Sequence, residues 1–179
     1  TITENASPST VIGTLSSVDS DTTDTTSFTL ATSGNTDDDD NGSFTISGTS
    51  LILNSSPDYE TKSNYNIYIN ANDGVNNFAK AFTVSVTNIN EAPTDIGLST
   101  NTITENASRS SVIGTLSSVD VDANNTNTFT IATSGNTDDD DNGSFTISGT
   151  SLILNYSPDY ETKASYNIYI NVNDGANNY

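Results

Sequence analysis

In the first half of the chain, apolar side chains return at every second position, in short bursts separated by Asn, Asp, Gly and Ser. Val11, Gly13 and Leu15 alternate along one segment, Phe28 and Leu30 along the next, and Phe44, Ile46, Leu51 and Leu53 bracket the turn Ser47-Gly48-Thr49-Ser50. Tyr65, Ile67, Ile69 and Ala71 share one face of what reads as the longest strand, and Phe82, Val84 and Val86 mark the last. A period of two belongs to half-buried strands, because successive side chains point to opposite faces of a sheet. Ile2, in an opening edge segment, is expected to point inward. No stretch has helical periodicity. Seven short strands, spaced by roughly 8–12 residues and divided by turn-forming residues, predict an all-β fold: a Greek-key β-sandwich of the immunoglobulin kind.

The pattern then repeats. Ile2, Glu4, Asp58 and Asp73 recur as Ile103, Glu105, Asp159 and Asp174, each at an offset of 101, and about 63 of the 78 positions that overlay are identical. The expected organisation is two tandem sandwiches, residues 1–92 and 93–179, the second without a counterpart of the Phe82–Val86 strand. Residues 79–101 occur once, so the segment reads as a window on a longer array, with any targeting signal outside it. Copies this similar are expected to work by number.

Charge narrows the partners. Four Lys and Arg stand against 23 Asp and Glu, a net charge of −19, which argues against nucleic acid and anionic membrane surfaces and for cations. No apolar run approaches the roughly 18 residues of a membrane span, so no membrane insertion is expected. Cys and His are absent, which removes thiolate and imidazole metal sites, disulfides and the commonest general base. Hard oxygen ligands remain, and the composition suits an extracellular, cell-surface or secreted protein built without disulfides.

The acidic residues fall in an ordered set of turns. Glu4-Asn5, Asp19-Ser20-Asp21, Asp58-Tyr59-Glu60, the strand Tyr65 to Gly74 and the segment Asn88-Ile89-Asn90-Glu91-Ala92-Pro93 resemble, in order, the signatures of a cadherin repeat. The match runs through both copies. The segment reading NEAPT is closest in flavour to the cadherin-like repeats of large secreted bacterial adhesins. The resemblance implies calcium (Ca2+) held between successive domains. Glu4, Asp58, Glu60, Asn88, Asn90 and Glu91 would supply oxygens from one side, and Asp120, Asp122 and Asp174 from the other. Asp19, Asp21 and Asp73 would face a preceding repeat, and Glu105, Asp159 and Glu161 a following one. Asn88 stands where the family usually has Asp, and one residue is missing before Pro93, which implies fewer ions or weaker binding. The range expected is that of extracellular modules, dissociation constants of about 10⁻⁴–10⁻³ M.

Carboxylates alone point the same way, since calcium takes six to eight oxygens and an unneutralised acidic cluster repels itself. The competing reading is that these acids are solvated turn residues. A second, weaker calcium loop is expected in the acidic tract. Asp37, Asp39, Asn41 and Gly42, repeated as Asp138, Asp140, Asn142 and Gly143, satisfy the opening of a D-x-D-x-N-G loop, although its twelfth position is Gly48 instead of Glu.

Other features have plainer readings. Tyr65 is in phase with the core and Tyr68 is out of phase, hence expected to be exposed. Lys62 and Lys163 sit in a turn and are not expected to form isopeptide bonds. Asp58 and Glu60 could be paired as glycosidase carboxylates, but no cleft is suggested and no enzyme activity is expected. The function expected is a calcium-stiffened structural or adhesion repeat, a rigid spacer or filament-building module, each repeat extending by about 35–45 Å. Its partners would be further copies of the repeat. The alternatives are a calcium-dependent polysaccharide-binding module and a fibre subunit in which identical chains polymerise by strand donation.

Overall fold

The computed structural model describes residues 1–20, 25–122, 126–135 and 137–179. It divides into two compact units, residues 1–89 and 90–179. This division and the expected one at 92/93 both fall in the strand-free segment 88–94.

The first unit contains β1 (Ile2–Thr3), β2 (Val11–Thr14), β3 (Ser27–Leu30), β4 (Phe44–Ser47), β5 (Ser50–Leu53), β6 (Asn64–Asn72) and β7 (Asn77–Thr87). They form two sheets, β1-β7-β6-β3 and β2-β5-β4. β1 runs parallel to β7, and the other pairs are antiparallel. The β4–β5 hairpin closes on Gly48 and Thr49, with Gly48 at φ 60°, the left-handed value that two-residue hairpin loops require. Ile2, Phe44, Leu51, Leu53, Ile67, Ile69, Val84 and Val86 are buried together as the core, drawn from both sheets as the period of two demands.

The second unit contains β8 (Asp95–Leu98), β9 (Val112–Val119), β10 (Thr128–Ile131), β11 (Phe145–Ser148), β12 (Ser151–Leu154) and β13 (Ile170–Asn173). Its sheets are β11-β12-β9-β8 and β10-β13. Two buried groups form its core: Leu116 with Phe129 and Val172, and Phe145 with Leu152 and Leu154. Among the described residues, no helix is long and apolar enough to cross a membrane.

Several local expectations need correction. In β2 the register shifts between Val11 and Gly13, so Ile12 and Leu15 pack on the core while Val11 is exposed. A bulge adds a residue and reverses the faces that strict alternation assigns. The longest strand is β7, eleven residues against nine in β6. Phe82 lies on β7 but is 41% exposed and outside the core, with Lys80 5.3 Å from its ring centre. Tyr65 packs edge-on against Phe44 as expected, with ring centres 5.6 Å apart. Tyr68, expected to be exposed, is half-buried: its strand is flanked by β3 and β7, and its backbone N–H is taken by Asn41.

Candidate metal centre

In the first unit, β1 lies beside the end of β7, and this places Glu4 under the chain as it leaves the last strand. Glu4 is only 3% exposed. One of its carboxylate oxygens accepts the backbone N–H of Tyr59 at 3.0 Å, and the other accepts that of Ile89. Asp58 and Glu60 come from the turn after the buried Pro57. The Thr61 hydroxyl, at 2.7 Å, and the Thr61 N–H hold the Asp58 carboxyl below the usual carboxylate range. One oxygen from each of Glu4, Asp58 and Glu60 lies within 4.8 Å of the other two. Ligands on opposite sides of a calcium ion are about 4.6–5.2 Å apart, twice the metal–oxygen distance, so this trio has the spacing of a shared cation. Asn88 follows β7 and is exposed.

The second unit gathers a different set. Asp122 and Asp174 are 7% and 5% exposed. Asp122 accepts the backbone N–H of Glu91 at 2.7 Å and donates its own N–H to Asp120 at 3.0 Å. Asp174 accepts the side-chain amide of Asn90 at 2.7 Å and the backbone N–H groups of Ala176 and Asn177 at 2.7 and 2.6 Å. Donation from Asn177 is the main cause that holds the Asp174 carboxyl low, against the opposing effect of burial. Asn177 also donates its side-chain amide to the Asn90 carbonyl at 3.1 Å. Asn90, Glu91, Asp120, Asp122 and Asp174 thus form one polar group. Asn177 belongs to it and was missed by the sequence reading; its place three residues after Asp174, in an Asp-Gly turn, was the available signal.

The residues expected to face other repeats are also placed. Glu105, Asp159 and Glu161 form a trio with the same 4.8 Å spacing, but all three are exposed. Asp73 sits in the β6–β7 turn, where the N–H groups of Asn76 and Val75 lower its pKa. Asp19 is exposed, and Asp21 lies outside the described residues.

The acidic tract divides its labour. Asp38 accepts the N–H and hydroxyl of Ser33, both at 2.8 Å, and the hydroxyl is the main cause of its lowered pKa. Asp40 is buried, bonded to the Lys62 ammonium and to the Asn66 N–H at 2.8 Å. Asn41 donates to the Ala31 carbonyl at 2.8 Å and accepts from the Tyr68 N–H at 3.0 Å. Asp141 and Asn142 repeat both arrangements with Lys163, Asn167, Ala132 and Tyr169. Asp39 and Asp140 are exposed, Asp37 is half-buried and Asp138 is exposed. None of these four belongs to a carboxylate trio of metal-binding spacing among the described residues.

The family model of the cadherin domain matches residues 1–89. Among solved structures, the chain is similar to human protocadherin-24 EC1-2, form II, with a TM-score of 0.75 and 21% identity over 97% of this chain and 81% of that one. It is also similar to the extracellular cadherin domains 3-6 of protocadherin gamma B2, with a TM-score of 0.70 and 16% identity over 97% of this chain and 40% of that one. Mouse protocadherin-24 EC1-3 matches with a TM-score of 0.66 and 19% identity over 96% of this chain and 52% of that one. These likenesses establish the fold as the cadherin-type β-sandwich. No curated protein matches the chain.

Proposed function

Residues 1–89 being a cadherin domain, we propose that this chain is a tandem of extracellular structural repeats whose stiffness is set by calcium, and that it serves adhesion as a spacer and not as an enzyme. The observation that carries the reading is the trio Glu4, Asp58 and Glu60, three carboxylates at cation spacing, one of them buried. A buried carboxylate beside two others is unfavourable without a positive partner. The donor set is all oxygen, as calcium prefers, and the chain has no imidazole or thiolate to draw a softer metal.

The segment 88–91 links this chemistry to stiffness. Within the first unit Ile89 is tied to Glu4, and within the second Asn90 and Glu91 are tied to Asp174 and Asp122. Glu4, Asp58, Glu60 and Asn88, and Asn90, Glu91, Asp120, Asp122 and Asp174, would hold calcium, which supplies the charge that allows these acids to stay together. These residues also grip three consecutive linker positions, so ordering the acids orders the linker. Ion binding to the ordered state alone stabilises it by about 2.7 kcal/mol at a hundredfold excess over the dissociation constant. The NEAPT linker is read as that of secreted bacterial adhesins, and Asp37, Asp39, Asn41, Asp138, Asp140 and Asn142 as weaker secondary calcium loops.

The test is small-angle X-ray scattering in millimolar calcium and then in excess chelator, with calorimetric calcium titration alongside. The expected result is saturable binding and a narrower distance distribution with calcium. Superimposable profiles and no heat of binding overturn the proposal.

A further inference from the structure

Asn41 and Asn142, the asparagines that clip the acidic tract to the sheet, are each followed by glycine, at Gly42 and Gly143. The fold does not need a glycine at either place. Neither has a positive φ, and a Cβ built on either would meet nothing within 4 Å. What the missing side chain does change is chemistry. A backbone nitrogen that follows asparagine can attack the side-chain amide carbon and close a succinimide ring, and glycine, having no Cβ, leaves that nitrogen least shielded.

The folded chain holds this reaction off at several points. Asn41 opens a short 3₁₀ turn, Asn41–Ser43, and its side chain is occupied at both ends, the nitrogen by the Ala31 carbonyl at 2.8 Å and the oxygen by the Tyr68 N–H at 3.0 Å. The following residues are tied as well. The Gly42 carbonyl accepts the side-chain amide of Asn54 at 2.9 Å, and the Ser43 N–H is donated to the Asp40 carbonyl at 2.9 Å. Ring closure requires the Asn41 side chain to leave Ala31 and Tyr68 while the Asn41–Gly42 peptide swings out of its turn, so these bonds must be given up together. The second unit repeats the arrangement: Asn142 meets Ala132 at 2.7 Å and Tyr169 at 3.0 Å, and Asn155 holds the Gly143 carbonyl at 3.0 Å.

We propose that Asn41 and Asn142 are sites of spontaneous deamidation gated by this clip, closed to reaction while the clip is made and open once it lets go. The Gly42 nitrogen bonds to the Asn41 side-chain carbon and gives up its proton, and ammonia leaves. Water then opens the succinimide at either carbonyl, yielding aspartate or isoaspartate. The reaction needs no enzyme, oxidant or cofactor. Both products lack the donor that satisfied the Ala31 carbonyl, and isoaspartate also lengthens the backbone by one carbon, so the clip does not re-form as it was. A repeat that has opened here is thereby marked covalently, and the mark keeps it loosened.

The test is to age the whole chain in mildly alkaline buffer with chelator and to follow both sites by peptide mass spectrometry, beside a free peptide of residues 37–45. In the folded chain both asparagines should react slower than the peptide by on the order of tenfold or more, because reaction waits on local opening. In denaturing urea they should react at the peptide's rate. Asn54→Ala releases the Gly42 carbonyl and should speed Asn41 several-fold, while Asn142 in the same molecule is unchanged and serves as the reference. Gly42→Ala fits the open space at that position and should slow Asn41 well below Asn142 in urea. Equal rates in folded chain and peptide, an Asn54→Ala chain whose Asn41 reacts no faster than its Asn142, or a Gly42→Ala chain whose Asn41 keeps pace with Asn142 in urea each overturns the proposal. The comparisons with the peptide and in urea stand even if Asn54→Ala weakens the fold.

Discussion

The carboxylate of Glu4 accepts the backbone N–H of Ile89, so the beginning and the end of the first unit are tied by one buried acidic side chain. Its second oxygen holds Tyr59 N–H and so fixes the turn that carries Asp58 and Glu60. A single residue thereby contacts both the turn that carries Asp58 and Glu60 and the chain as it leaves β7.

Glu4→Gln keeps an acceptor for one of these N–H groups and removes the charge. The calcium-dependent rise in thermal midpoint is expected to shrink strongly, with apparent calcium affinity falling on the order of tenfold, because calcium sites are tuned by ligand charge count. Calcium titration of the variant beside the parent chain decides this. An unchanged affinity would remove Glu4 from the ligand set.

Asp174→Asn tests the second unit separately. The amide oxygen still accepts from Ala176 and Asn177, so the turn should survive in chelator, with only the bond from the Asn90 side chain lost and a fall in midpoint worth about 1 kcal/mol. In calcium the variant should gain less stability than the parent. A large loss already in chelator would show that Asp174 is structural only.

Asp40→Ala strips the partner from Lys62 and leaves the Asn66 N–H without its acceptor. The expected cost is about 1–3 kcal/mol in chemical unfolding, the usual penalty for a buried donor left unsatisfied. Lys62→Ala should cost less, because the ammonium end is half-exposed and can be replaced by water.

Asn41→Asp probes the clip across the sheet. The carboxylate can still accept from Tyr68 but has no donor for the Ala31 carbonyl, so stability should fall by about 1–3 kcal/mol at neutral pH. Calcium stoichiometry measured on a separate Asp39→Asn, Asp140→Asn variant tests the secondary loops: a lost ion would support them, and an unchanged stoichiometry would remove them.

In chelator, stability should depend on pH through the hydrogen-bonded carboxylates. Asp58, Asp73, Asp159 and Asp174 all titrate below the usual range in the fold, owing chiefly to donation from Thr61, Asn76, Thr162 and Asn177. A lowered folded pKa favours the fold when the group is ionised. The contribution is thus complete above the unfolded value of about 3.9 and is lost as pH falls through the folded values. The thermal midpoint should be flat from neutral pH to about 5 and decline below about 4. At the other end, Asp40 raises the Lys62 pKa, so that pair stabilises below about 10.4 and fails as pH rises past the folded value.

Most strands of the first unit, the hairpin at Gly48, the repeat and the acidic turns were legible in the sequence, because alternation and turn chemistry are local properties of the backbone; β8, in the segment that occurs once, was not. Four consecutive Asp residues, 37 to 40, show where that legibility ends: Asp40 is buried only because Lys62 and Asn66 fold back over it, and no spacing rule separates it from Asp39. The sequence Leu-Ser-Ser-Val shows the same limit. At 116–119 it is a strand with its leucine buried, and at 15–18 it is not a strand, although the residues are identical. A strand exists when its N–H and C=O groups meet those of a neighbour, and β8 provides that neighbour in the second unit. What the chain could form was written in its period and turns; which acids are buried and which edges are covered was decided by the residues that tertiary packing brings alongside.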